Sequence, residues 1–172
     1  MSDKLEFLTG LRVTREFTDE PVAAGDLDAI LEAGRWTGSS KNRQGWVFIV
    51  VDGRDELDAV ASAGQFTVPI RSAAAVIALV KTAEGNDFDI GRVAQSMMLA
   101  ADAVGLGSCP VTLHRDARSR EVLGLGEGES CRWVIALGHP DPVPEERQRQ
   151  DRRDRGVAGR KDLSEVVRRE PR

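Results

Sequence analysis

The chain has 172 residues, a length that suits one domain, and its 41% apolar and 30% charged residues are ordinary for a water-soluble globular protein. A net charge of −4 argues against non-specific nucleic-acid binding. No apolar run approaches the ~18 residues of a membrane span, and the N-terminal "MSDKLEFLTGLR" lacks the apolar core of a signal peptide.

In chain order, "DLDAILEAG" repeats apolar residues at Leu27, Ile30 and Leu31, a helical spacing, with Asp26 as a start signal and Gly34 as a stop. "WVFIVVD", Trp46 to Asp52, is β-branched and aromatic and reads as a buried strand. "RDELDAVASAG" reads as a short helix and "AAAVIALVK", Ala73 to Lys81, as a second buried strand. The clearest helix is "FDIGRVAQSMMLAADAVG", where Ile90, Ala94, Met97, Ala101 and Val104 form one stripe and Gly105 supplies a stop. The following "GLGSC" is not a dinucleotide fingerprint, because a helix precedes the glycines and a strand-like stretch follows; it reads as a helix stop and tight turn. "DARSREVLG" is another short helix, and "CRWVIALG", Cys131 to Gly138, a third strand. The alternation implies α/β or α+β, with helices covering a sheet. After "HPDPVP" the chain is dominated by charge from Glu145 onward, with scattered apolar residues at Val157, Leu163, Val166 and Val167: a solvated tail, or an arm that packs on something.

Local motifs for chemistry are sparse. Cys109 and Cys131 form no CxxC pair and no metal-ligand spacing, which suits a reduced, cytoplasmic protein; His114 and His139 are equally isolated. No nucleophile–base–acid set assembles. Arg12 and Arg15 in "LRVTREF", and Arg155, Arg160 and Lys161 near the end, look by themselves like solvated cations. "TGSSKNRQGW", 37 to 46, is harder to dismiss, since Ser39 to Gln44 are six consecutive hydrogen-bonding side chains between two tryptophans.

In their order along the chain, these stretches resemble the flavin-dependent nitroreductase family over nearly the whole length. "LRVTREFTDEPV" is similar to that family's N-terminal flavin-binding segment, and "LEAGRWTGSSKNRQGWVFIVV" to its helix, loop and first strand. "DIGRVAQSMMLAADAVGLGSCPV" resembles its central helix and turn, "IALGHPD" the later strand end, and "RKDLSEVV" its C-terminal piece. The resemblance implies a single α+β domain over 1–172 with three layers, a central mostly antiparallel sheet flanked by helices. It implies a homodimer in which 145–172 packs as an arm on the partner subunit. It also implies non-covalent FMN at the subunit interface, NAD(P)H as reductant, and a small organic acceptor of nitroaromatic or quinone type, reduced by a ping-pong mechanism with no membrane or nucleic acid involved. The flavin carries the redox chemistry, so no catalytic side chain and no metal is expected.

By the same resemblance the cofactor-binding positions are Arg12, Val13, Arg15, Ser39, Ser40, Asn42, Gln65, Pro110, Thr112, Leu113, Arg160 and Lys161. Arg12 and Arg160 match phosphate ligands, with Lys161 a second; a guanidinium grips phosphate at two points. Arg15 matches a cation beside the flavin N1–C2 edge. Ser39, Ser40 and Asn42 match polar flavin contacts, and Gln44 fastens the loop to its own backbone. A backbone N–H of Thr112 or Leu113 matches the contact to flavin N5. The chain departs from the family at Leu11, where a basic residue is common, at Val13 (serine), at Gly38 and Gly45 (prolines) and at Ala158 (lysine). The two glycines imply a freer loop, and the short span between Gly85 and the central helix implies an open pocket. The departures at Leu11, Val13 and Ala158 are what a flavin-binding or scaffold protein without NAD(P)H turnover would show. A dehydrogenase or a flavin-cleaving oxygenase on the same fold is a further alternative.

Overall fold

The computed structural model describes residues 2–156 and 159–169; the expectations at Val157 and Ala158 lie outside them. The described residues divide into a unit that ends at Asp141 and a second that begins at Pro142. Among them no helix is long and apolar enough to cross a membrane.

The first unit is built on four strands, β1 (Trp46–Val51), β2 (Ala75–Lys81), β3 (Gly107–Thr112) and β4 (Ser130–Gly138), in the order β1-β2-β4-β3 with every neighbouring pair antiparallel. The central strands β2 and β4 are buried on both faces, which is why they read as unbroken apolar runs. Their side chains alternate between two cores. Val76, Ala78, Val80, Val134 and Ala136 face one core, with Leu57 and Val60 of α3 (Arg54–Ala61), Ile70 of α4 (Val68–Ser72) and Leu123 of α6 (Asp116–Leu123). Ile77, Leu79, Ile135 and Leu137 face the other, with Ile30 of α2 (Ala24–Arg35) and Ile90, Val93 and Met97 of α5 (Asp87–Ala103). This is the expected three-layer α+β arrangement.

Four local expectations need correction. β1 is an edge strand, with Val47 and Val50 exposed, because only β2 pairs with it. Asp26 lies in the first turn of α2 rather than at its cap, which is Ala23. Gly34 does not stop that helix; it is buried within it, and a Cβ there would meet Met97 Cγ at 3.0 Å, so its role is close approach to α5. Helices α1 (Asp3–Gly10) and α4 were not apparent from periodicity, since α1 buries none of its residues and α4 has only five. The turn after α5 is as expected, with Gly105 at φ +81°.

The second unit holds α7 (Pro142–Asp154) and α8 (Leu163–Val166), the latter closed by a capping box between Asp162 and Glu165. Leu163, Val166 and Val167 are exposed.

Candidate functional site

The edge strand β3 organises one part of the site. The Leu113 N–H donates to the Arg132 carbonyl of the β4 segment at 2.8 Å. Because bonding alternates along an antiparallel ladder, Ser108, Pro110 and Thr112 then turn their backbone groups away from β4. The Ser108 carbonyl accepts the Thr14 N–H at 2.9 Å. Pro110 has no N–H to lose, so it is tolerated where a central strand would exclude it. The Thr112 N–H faces the open edge. Of the two backbone donors expected, Leu113 is therefore committed to the ladder and Thr112 is the one left to face outward.

The segment holding Arg12, Val13 and Arg15 runs beside the start of this strand. Gly107 permits the approach, since a Cβ there would meet Thr14 Cβ at 2.7 Å. Val13 packs against both cores. Arg12 is exposed, and its guanidinium donates to the carbonyls of Thr9, Gly10 and Leu11 at 2.8–3.0 Å, closing the end of α1. Gln65 is exposed next to Gly64, which forms an isolated bridge with Leu113. The structure thus brings Gln65 to Thr112 and Leu113.

A hollow of about 440 Å³ lies here, lined by Thr112 and Leu113, by Asp87 and Ile90 of α5, and by Lys81, Arg132 and Trp133. A smaller one of about 150 Å³ adjoins Pro110, Gly91 and Ala94. Lys81 and Asp87 form an ion pair at 2.6 Å, and the Arg132 guanidinium lies over the Trp133 ring, 5.4 Å from its centroid. Cys131, in the wall, is pushed up to about 12 by burial, which makes it an inert thiol. As expected, no element is inserted between Gly85 and α5, for Asn86 caps that helix directly and its side chain accepts the Asp89 N–H at 2.9 Å.

The polar loop forms a second part. Its Ser40–Asn42 turn has left-handed backbone at Lys41 and Asn42, and Gln44 follows suit, with φ of 49–53°. Ser39 Oγ accepts the Gln44 N–H at 2.9 Å, and Gln44 Nε2 donates to Asn42 Oδ1 at 3.3 Å, so Gln44 does fasten the loop to itself. The loop is tied to α5 at two places. The Ser40 N–H donates to Asp89 Oδ2 at 3.1 Å, and Arg92 Nη1 donates to the Gly38 carbonyl at 2.6 Å. Asp89 is 5% exposed, and the Ser40 N–H, with Asn86 and Arg92, holds its carboxyl below the usual range despite burial. Gly45 is not a source of freedom, contrary to the sequence expectation. It is buried against Gly85, and a Cβ on it would lie 2.5 Å from Gly85 Cα.

Ser39, Ser40 and Asn42 do not line the two hollows, although loop and hollows share α5. Arg160 and Lys161 belong to the second unit, exposed just ahead of α8. Sequence reasoning missed Asn86, Asp89 and Arg92. The available signal was Asn86 three residues before Asp89, a helix-start pattern, with an acid beside the apolar stripe.

Comparison with known proteins identifies the family and matches the fold. The nitroreductase family model matches residues 9–87 and 71–139. An Archaeoglobus fulgidus protein assigned as an NADH dehydrogenase/NAD(P)H nitroreductase is 28% identical over 151 residues, covering 81% of this chain and 87% of its own. The NADPH-flavin oxidoreductase of Vibrio harveyi is 27% identical over 169 residues, covering 87% and 70%. A crystal structure of a Desulfovibrio desulfuricans protein assigned as a nitroreductase, in complex with FMN, superposes with a TM-score of 0.83 at 27% identity, covering 99% of this chain and 98% of that one. With the family model spanning most of the chain and the three-layer fold in place, the protein belongs to the nitroreductase family.

Proposed function

We propose that the protein is an FMN-dependent oxidoreductase that passes electrons from NAD(P)H to a small organic acceptor, of nitroaromatic or quinone type, by a ping-pong mechanism in a homodimer. The observation that carries this is the phase of the β3 ladder, which turns the Thr112 N–H outward beside Gln65 and the 440 Å³ hollow. That set fits a flavin ring: one fixed backbone donor, an amide that both donates and accepts, and a hollow whose lining includes Ile90, Leu113 and Trp133 among polar groups. FMN, when bound, supplies the hydride and electron chemistry.

This chain's part is to bind and polarise. Thr112 offers its N–H to a ring nitrogen, and Gln65 serves the ring's amide-like edge. Arg15 places positive charge where negative charge gathers on reduction. Arg12, Arg160 and Lys161 supply cations for the phosphate, and for Arg12 that means exchanging its carbonyl contacts at the end of α1 for a doubly charged partner. Ser39, Ser40 and Asn42 present hydroxyl and amide groups to the flavin of the partner subunit, and the exposed Leu163, Val166 and Val167 are the surface by which the C-terminal arm docks there. The two free, buried cysteines suit a reducing, cytoplasmic setting.

The test is purification followed by spectroscopy and steady-state kinetics. Flavin absorbance, NADH or NADPH consumption on adding a nitroaromatic or quinone, and parallel double-reciprocal lines are expected. A colourless protein that FMN cannot reconstitute overturns the proposal. FMN binding without nicotinamide oxidation reduces the protein to a flavin binder.

A further inference from the structure

We infer that Asp89 and Arg92 of α5 are positioning residues that fix the backbone of residues 38–42, and so set Ser39, Ser40 and Asn42 for the cofactor; this rests on the FMN reading proposed above. Left-handed backbone at three non-glycine residues, Lys41, Asn42 and Gln44, persists only where the surroundings impose it. The loop's own bonds, Gln44 N–H to Ser39 Oγ and Asn42 N–H to the Ser39 carbonyl, set its curvature but not its place on the body. Its place is set from α5. Arg92 Nη1 holds the Gly38 carbonyl at 2.6 Å and Asp89 Oδ2 holds the Ser40 N–H at 3.1 Å, one anchor on each side of Ser39.

The chemistry of the anchor is specific. Asp89 is a buried acid on the face of a helix that otherwise carries core residues, and a core position there would ordinarily hold an apolar side chain. It persists because its oxygens are occupied: Asn86 Nδ2 donates to Oδ2 at 2.7 Å, alongside the Ser40 N–H, and Arg92 stands 3.7 Å from Oδ1. Asn86 in turn caps α5 by accepting the Asp89 N–H. The loop is therefore attached to the same turn that borders the hollow through Asp87 and Ile90, and any shift of that turn moves both together. Gly38 belongs to the device as well. A Cβ there would come within 3.1 Å of Arg92 Nη2, so the missing side chain leaves the guanidinium room to reach the carbonyl.

Three variants separate a positioning role from a merely structural one. Asp89→Asn retains an oxygen for the Ser40 and Asn86 donors and loses only the pairing with Arg92. Asp89→Ala loses all of it. Arg92→Leu, at an exposed position, removes the other anchor and keeps the test open if the alanine variant does not fold. Two readouts are taken on each: the FMN dissociation constant by titration of apo-protein, and hydrogen exchange of the 38–44 amides without FMN. The expected result is a graded one, with Asp89→Asn within threefold of wild type, Asp89→Ala and Arg92→Leu weaker by tenfold or more, and faster loop exchange in the same order. Wild-type affinity in Asp89→Ala or Arg92→Leu despite faster exchange overturns the positioning role. A Ser40 amide that exchanges as fast in wild type as in the variants overturns the attachment itself. If wild-type protein binds no FMN, the functional proposal fails and so does the cofactor role of the loop, while graded exchange still identifies α5 as what holds it.

Discussion

A methyl group added at Gly45 tests the packing under the polar loop. The Cβ would sit 2.5 Å from Gly85 Cα and 2.8 Å from the Glu84 carbonyl carbon, where carbon atoms need about 3.5–4.0 Å. Both neighbours are backbone, so no side chain can swing aside. Overpacking of this kind costs about 1–3 kcal/mol, and moving the strands apart also endangers the Thr82 N–H to Gly45 carbonyl bond of 3.2 Å, worth about 1 kcal/mol. Against this, alanine restricts the unfolded chain and returns about 0.4–1 kcal/mol. The net expectation for Gly45→Ala is a loss of about 1–3.5 kcal/mol, a fall of about 2–14 °C in Tm for a chain of this size. Gly38→Ala is the contrast: its nearest neighbour is the end of the exposed Arg92 side chain at 3.1 Å, and its effect on stability should stay within about 0.5 kcal/mol. Thermal unfolding by circular dichroism of the apo-proteins decides the matter. Equal melting temperatures for Gly45→Ala and Gly38→Ala would refute the contact between the two turns.

Arg12→Ala and Arg160→Ala should each weaken FMN binding at least tenfold with the fold intact, since a charged hydrogen bond is worth about 1.5–3 kcal/mol; titration of apo-protein checks this. Arg15→Gln should lower the flavin midpoint potential, measured by redox titration of a variant that still holds FMN. Light scattering should show a dimer at micromolar concentration, and mixing Asn42→Ala with Arg12→Ala protein should restore activity if the two residues serve one flavin from different subunits. Cys131, pushed up to about 12 by burial, should resist iodoacetamide at pH 8 until the protein unfolds; its folded-state value is raised, so the stability it contributes is complete below its ordinary value of 9.0 and is lost as pH climbs from there toward 12.

The centre of the sheet was legible because β2 and β4 are buried on both faces and cannot tolerate polar residues. "WVFIVV" is as apolar as they are, and nothing in its composition says that it lies at an edge. Helix α1 was illegible for the opposite reason: none of its residues is buried, Leu5 and Leu8 being 51% exposed each, so it has no core-facing stripe to read. For the candidate site, the Arg12–Phe17 segment and the Pro110–Leu113 strand were proposed from resemblance. The choice between Thr112 and Leu113 required knowing which residues of β3 bond to β4, a property of register and not of residue type. The anchors Asp89 and Arg92 lie 49 and 54 residues from their partners in the loop, and their bonds end on backbone atoms, which every residue possesses. The helix-start pattern at Asn86 and Asp89 could mark a cap, but no pattern of side chains could have announced the loop as their partner.

The two borders of the sheet differ in how they would meet another β-strand. On β3, Pro110 offers no donor and Ser108 is already engaged by Thr14, so an incoming strand finds an interrupted row of hydrogen-bonding groups. On β1, Trp46 to Val51 contains no proline, no glycine and no charge, and Val47 and Val50 lie open to solvent. Aggregation of a partly unfolded chain should therefore begin at β1, and a single lysine at Val47 or Val50 is the change that would most improve its solubility on heating.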